Sequence, residues 1–255
     1  MTIGIIVIAT NAYFVLGLRF IKRFMHFYNG DQNIKFYFFS DDNPKDYIPE
    51  QINVQYIQSS HKHWTEGTNS KFKNIISLEK EKLDYIFYFD ADTNVCSNFC
   101  EDWFLCGDLV AGEHFGNRTW MQTEKPFDRN PKSKAYIPKD TNLHQTYYYG
   151  AFFGGKKDKI ISLCKLMLDW QTEDKKIPHE PIFNDESYLN CYFHNNPPDC
   201  TVSTENFPFM ISDKGGIGDT RIMTLDTSNL KSEFLKYKNL LNINIYDSKI
   251  VIYEN

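Results

Sequence analysis

The sequence predicts an α/β fold, a Rossmann-like mixed sheet flanked by helices, and three observations carry the prediction. Tyr85-Ile86-Phe87-Tyr88-Phe89 is a five-residue apolar run rich in β-formers and reads as a strand buried on both faces. The run stops on Asp90-Ala91-Asp92, two carboxylates one residue apart at the strand's C-terminal end, where open α/β sheets place their ligands. Upstream of it, apolar runs and helical spacings follow one another in the order β-α-β-β-α-β.

In chain order, residues 3–9 are an unbroken apolar run and read as the first strand. Thr10-Asn11 turns the chain, and residues 13–28 carry Phe14, Leu18, Ile21 and Met25 at helical spacing. Residues 34–39 form a second strand, closed by the polar run Ser40-Asp41-Asp42-Asn43-Pro44, and residues 53–56 a third. A helix is predicted over 69–83, with Phe72, Ile75, Ile76 and Leu83 inward, leading into the strand at 85–89. Residues 109–112 form a short strand, followed by a long polar loop through Thr146, a length that marks a functional loop. Residues 147–155 form a strand whose glycines imply close approach to backbone. Ile160, Ile161, Cys164, Met167, Leu168 and Trp170 mark a helix, and Asp185 to Asn190 another. A helix at 230–241 and a strand at 250–253 complete the reading. No repeat, low-complexity tract or linker appears, so 1–255 is read as one domain, with a nucleotide-binding part over about 1–95 and an acceptor and catalytic part over about 96–255.

With 255 residues, 42% hydrophobic and 16% aromatic, the chain can bury a sizeable core. A net charge of -5 argues against a nucleic-acid partner, which calls for a basic field. None of the six cysteines forms a C-x-x-C pair, and they read as small buried residues of a reducing compartment. No basic segment precedes the apolar start, and Thr10-Asn11 interrupts it, so no transmembrane segment is expected. The expected location is cytoplasmic and soluble, with peripheral membrane association should the acceptor be lipid-linked. The abundance of Lys, Asn, Ile, Phe and Tyr suggests an AT-rich genome, microbial or viral.

The Asp90/Asp92 pair carries the chemistry. Two carboxylates at 4 Å repel by roughly 4 kcal/mol in a surface-like dielectric, and a divalent cation with oxygen ligands, Mn²⁺ or Mg²⁺, relieves both. Such a pair suits an ion that also holds phosphates. The plain alternative is a strand end with a polar turn.

Several segments together resemble the family 6 glycosyltransferases, the family of the blood-group A and B enzymes and α1,3-galactosyltransferase. Thr2-Ile3-Gly4 through Tyr13 resembles the family's first strand and turn, and Asp84-Tyr85 through Asp92 its D-Y-hydrophobic-D-x-D strand. Ala135 to Asp140, then Tyr147-Tyr148 and Gly150 to Gly155, match almost word for word, and Asp185-Glu186-Ser187 with Leu189, Asn190 and Tyr192 matches D-E-S-x-L-N-x-Y. The resemblance implies a GT-A fold and retaining transfer of galactose or N-acetylgalactosamine from a UDP-sugar to the 3-position of a β-galactoside. The acceptor would be an oligosaccharide or glycolipid.

It further implies Mn²⁺, or Mg²⁺, on Asp90 and Asp92, and Glu186 as the catalytic glutamate, either nucleophile or electrostatic stabiliser. Ile8, Ala9, Thr10 and Tyr13 would surround the uridine, with Asp90 also on the nucleotide. Lys71, Gly150, Ala151 and Asp185 would contact the donor sugar, and His114, Tyr149 and Asn184 the acceptor. The Ala151 methyl takes up room an N-acetyl group would use, which leans towards UDP-galactose. Lys71 replaces the family's arginine and loses its bidentate fork. Phe115 replaces a proline after His114, and Phe183-Asn184 replace Trp-His. The basic C-terminal residues have no alignable counterpart; Lys231, Lys236 and Lys238 are candidates.

Two rivals differ in class. A haloacid-dehalogenase-like Mg-dependent phosphatase also sets Asp-x-Asp after an apolar strand. It wants Thr or Val two residues past the second Asp, where this chain has Val95 at the third. A catalytically degenerate sugar-binding module is opposed by the presence of Asp90, Asp92 and Glu186 together.

Overall fold

The computed structural model describes residues 1–203 apart from 12, 62–63, 96, 119–120, 122–123 and 140–145, together with the pair 209–210. The expected C-terminal helix and strand, with Lys231, Lys236 and Lys238, lie outside the described residues. The strands are β1 (Thr2–Ile8), β2 (Asn33–Ser40), β3 (Val54–Gln58), β4 (Tyr85–Asp90), β5 (Asn94–Val95), β6 (Leu109–Glu113), β7 (Tyr148–Lys156), β8 (Cys200–Val202) and β9 (Phe209–Met210). The helices are α1 (Tyr13–Phe27), α2 (Trp64–Ile76), α3 (Lys157–Asp174) and α4 (Asn184–Asn195). A mixed, mostly parallel sheet runs in the order β3-β2-β1-β4-β7-β6-β8, and β5 pairs antiparallel with β9. The fold class is the α/β one predicted.

The chain divides into two compact units: Met1–Gly67, Tyr88–Trp103 and Phe207–Asn255 in the first, Thr68–Phe87 and Phe104–Asn206 in the second. In the first, β1 pairs parallel with β2 and β2 with β3, as both-face-buried apolar runs do. α1 turns Phe14, Phe20 and Phe24 inward; Phe24 meets Phe36 edge-on at 5.4 Å, and Phe20 meets Phe89 at 5.2 Å. Arg23 is buried in this core, donates from Nε to the Val95 carbonyl (2.8 Å), and lies over the Phe27 ring. That bond ties α1 to β5, directly downstream of Asp90-Ala91-Asp92.

In the second unit β6 pairs antiparallel with β7 and parallel with β8, and α3 and α4 pack on β7. A Cβ on Gly154 would stand 2.5 Å from the Ile86 carbonyl and 2.1 Å from the Phe87 ring, so that position requires glycine. Tyr147 and Tyr148 are each held by a side-chain amide that imitates a neighbouring strand. Asn117 accepts from Tyr147 N and donates to its carbonyl (3.0 and 2.7 Å), while Asn190 does the same for Tyr148 (2.8 and 2.9 Å).

Three expectations need correction. The helix predicted over 69–83 runs from Trp64 to Ile76. Beyond it, tight turns (Leu78 N to Ile75 O, Glu79 N to Ile76 O, Glu81 N to Leu78 O) keep Leu83 inward without an α-helix, which is why the apolar spacing persisted. The segment after Glu113 is not wholly a polar loop: a bridge joins Asp128 to Tyr136, and Phe127 and Ile137 pack with Met121, Tyr147 and Cys191. Cys106 and Cys200 form a disulfide, whereas Cys164 and Cys191 are free and buried, as expected of all six.

Candidate active site

In the first unit the predicted nucleotide residues occupy one turn. Ile8 ends β1, Ala9 is fully buried and donates to the Phe39 carbonyl, and the carbonyl of Thr10 accepts from Tyr13 N at the start of α1. Between them Asn11 takes a left-handed φ of 56°, donates from its backbone to Asp41 (2.8 Å), and from its side chain to the His61 carbonyl (2.9 Å). Asparagine is among the few residues tolerant of that conformation. The turn at Thr10-Asn11 is the one expected from the sequence, whereas its bonds to Asp41 and His61 and the unusual φ cannot be read from spacing.

Asp90 is the last residue of β4 and Asp92 follows in the turn closed by Thr93 N donating to the Asp90 carbonyl (3.0 Å). Both are partly exposed, and Tyr88 Oη donates to Asp90 Oδ1 (2.5 Å). Beside them the Thr93 hydroxyl is buried without a hydrogen-bond partner. Among the described residues no cluster of three or more His, Cys, Asp or Glu side chains could hold a metal alone. Asp90 and Asp92 are hard oxygen donors of the kind that Mn²⁺ or Mg²⁺ takes in company with phosphate oxygens and water.

The second unit gathers Lys71, Gly150, Asp185 and Glu186. Lys71, on α2, is 1% exposed, yet its Nζ donates to Asp185 Oδ2 (2.5 Å) and to the Gly150 carbonyl (2.7 Å). Gly150 N in turn donates to Glu186 Oε2 (2.7 Å). Ala151 is the next residue of β7, buried in its middle. Asp185 and Glu186 stand in the first turn of α4, where the helix dipole favours negative charge.

Glu186 keeps a partly open face but is otherwise surrounded by protein. Burial pushes its carboxyl up to about 7, against the pull of the Gly150 N–H and the Tyr147 hydroxyl. The Tyr147 hydroxyl is near enough to act on that charge without an aligned hydrogen bond. Tyr147 is thus a neighbour of Glu186 that sequence reasoning passed over as a strand residue.

His114 is buried, stacked on Tyr149 with ring centroids 4.0 Å apart. Its Nδ1 accepts from Gly116 N (2.9 Å), so the neutral ring carries its proton on Nε2. Burial first, then Lys125, lowers it to about 4, and it remains neutral at physiological pH. Asn184 opens α4 with a left-handed φ of 45°. The structure therefore joins His114 to Tyr149, and Lys71 to Gly150, Asp185 and Glu186.

A family model described as glycosyltransferase family 6 matches residues 1–213. The chain is 29% identical over 221 residues to globoside alpha-1,3-N-acetylgalactosaminyltransferase 1 of Gallus gallus, covering 80% of this chain and 61% of that protein. It is 27% identical over 219 residues to histo-blood group ABO system transferase 1 of Rattus norvegicus, covering 80% and 60%. An O-antigen biosynthesis glycosyltransferase of Escherichia coli is 25% identical over 169 residues, 64% of this chain and 70% of that one. The matched region spans about three fifths of the two animal relatives. The chain belongs to glycosyltransferase family 6, and its mixed, mostly parallel sheet is consistent with the GT-A fold of that family.

Among the described residues no helix is long and apolar enough to cross a membrane.

Proposed function

We propose that the enzyme transfers galactose or N-acetylgalactosamine from a UDP-sugar to the 3-hydroxyl of a β-galactoside-type acceptor, an oligosaccharide or glycolipid, forming an α linkage with retention. The single observation that carries the reading is the Lys71–Asp185–Gly150–Glu186 arrangement, a confined carboxylate beside a buried ion pair. The animal relatives, an α-1,3-N-acetylgalactosaminyltransferase among them, support the reaction type.

In this reading Glu186, ionised above about pH 7, supplies the negative charge that traps or stabilises an oxocarbenium-like anomeric centre. The Gly150 N–H fixes one carboxylate oxygen and so orients the group. Lys71 holds Asp185 and the Gly150 carbonyl in place, and Asp185 orients the sugar through its hydroxyls. Neutral His114, with its proton on Nε2, offers a donor to an acceptor hydroxyl beside Tyr149. Ile8, Ala9, Thr10 and Tyr13 bind the uridine. Asp90 and Asp92 would hold Mn²⁺ or Mg²⁺, which when bound supplies Lewis-acid neutralisation of the departing diphosphate.

UDP release from a panel of UDP-sugars, with Mn²⁺ and with EDTA, tests the proposal. The expected result is release from UDP-galactose or its N-acetyl relative that EDTA and Asp92→Asn both abolish. Release that ignores EDTA removes the metal from the reading, and no release from any donor overturns the transferase assignment.

A further inference from the structure

Tyr88 and Asp90 stand two residues apart on β4, so their side chains leave the same face of the sheet. Tyr88 is 4% exposed, in a run whose other members, Ile86, Phe87 and Phe89, are fully buried and apolar throughout. Packing at that position asks for a ring and no more. A buried hydroxyl adds a donor that must find a partner, and Tyr88 Oη donates to Asp90 Oδ1 at 2.5 Å. An O–H bond of that length to a carboxylate is among the strong, charge-assisted ones.

The bond acts on the torsion that the strand leaves soft. The last torsion of an aspartate is broad and roughly two-fold, so β4 sets where the Asp90 carboxylate begins but not how its two oxygens turn. The Tyr88 hydroxyl fixes that rotation. The backbone around the pair is held as well: Thr93 N closes the turn onto the Asp90 carbonyl (3.0 Å), and Arg23 Nε grips the Val95 carbonyl (2.8 Å). Main chain and carboxylate are thus both positioned by protein contacts. A hydrogen bond that orients a metal ligand from outside is worth about 10- to 100-fold in metal affinity.

The same bond bears on which ion is held. Calcium takes carboxylates through one oxygen or through both, in flexible geometry, whereas magnesium demands a near-ideal octahedron of closer ligands. An ion chelated by both oxygens of Asp90 would have to share Oδ1 with the Tyr88 proton. A small ion that takes a single oxygen would not.

We propose that Tyr88 is a positioning residue for the Asp90 carboxylate, setting it for one-oxygen coordination of Mn²⁺ or Mg²⁺ in preference to Ca²⁺. The inference rests on the reading of Asp90 and Asp92 as cation ligands, and adds to it the residue that orients one of them.

The test is Mn²⁺ uptake by the full chain in the presence of UDP, which needs no turnover. It is read as loss of the free-ion electron paramagnetic resonance signal, corrected for uptake by the nucleotide alone, with Ca²⁺ as competitor. Wild type is expected to hold Mn²⁺ at least about tenfold more tightly than Ca²⁺. Tyr88→Phe keeps the ring and removes the hydroxyl. Its Mn²⁺ affinity is expected to fall about 10- to 100-fold and its Ca²⁺ affinity by less than about threefold, while the metal-free chain melts within a few degrees of wild type. Unchanged Mn²⁺ affinity in the variant, or equal losses for the two ions, overturns the proposal and leaves the metal reading standing. A wild type that holds the two ions equally also overturns it, a result that needs no variant. A wild type that takes up no Mn²⁺ with UDP removes the metal reading, and the role of Tyr88 with it.

Discussion

Lys71 and Asp185, 114 positions apart in the chain, meet at 2.5 Å in the interior of the second unit, each nearly inaccessible to water. Two charges buried so deeply tolerate each other only as a pair. The contact couples α2 to the first turn of α4, and through the Gly150 carbonyl it fixes β7 as well.

Lys71→Met removes the buried cation that Asp185 pairs with. The expected cost is about 3–5 kcal/mol, measured as a lower urea midpoint at unchanged m-value. A stability within about 0.5 kcal/mol of wild type would show the pair to be structurally idle.

Glu186 gives a pH signature of the opposite sign to an ordinary ion-paired carboxylate. Its folded value is raised from 4.5 to about 7, so its contribution to stability is full below pH 4.5 and is lost as pH rises through about 7. Glu186→Gln is therefore expected to be more stable than wild type at pH 8, by about 2–4 kcal/mol, with the gap narrowing towards pH 5. The same substitution should abolish transfer and leave UDP binding intact. In wild type the turnover rate should rise through pH 7 as the carboxylate ionises.

Gly150→Ala places a methyl 3.0 Å from Glu186 Cβ and 3.2 Å from Asp185 Oδ2. Donor hydrolysis should fall at least about tenfold, equivalent to about 1.4 kcal/mol of barrier, while the melting temperature moves by only a few degrees. Equal kcat in the variant would detach this backbone position from the chemistry.

Ala151→Gly opens space in the middle of β7, beside Gly150. The ratio of UDP release from UDP-N-acetylgalactosamine to that from UDP-galactose is expected to rise about tenfold, the usual scale for a methyl-sized change in a pocket. A constant ratio removes Ala151 from donor choice.

The long apolar runs were legible because burial on both faces writes itself into composition: β1, β2, β4 and β7 all fall within a residue or so of the predicted bounds. β5, β8 and β9 have two or three residues each, too few for any period to emerge. The end of α2 was misplaced because tightened turns imitate helical spacing as far as Leu83. The carboxylates and glycines of the candidate site could be found from motifs. The partners that tune them, such as Tyr147 beside Glu186 or Asn190 on Tyr148, depend on contacts that no local pattern encodes. No pattern in the sequence marks Gln171, and only packing reveals it as buried.

The Cys106–Cys200 disulfide encloses β6, β7, α3 and α4, and with them His114, Tyr149, Gly150, Ala151 and Asn184 to Glu186. These residues are thus carried on a covalent ring rather than on an open length of chain. A single peptide-bond cut anywhere between the two cysteines turns the ring into two arms still joined at sulfur. A nicked molecule would keep its mass on a non-reducing gel and separate into two fragments only after a thiol is added.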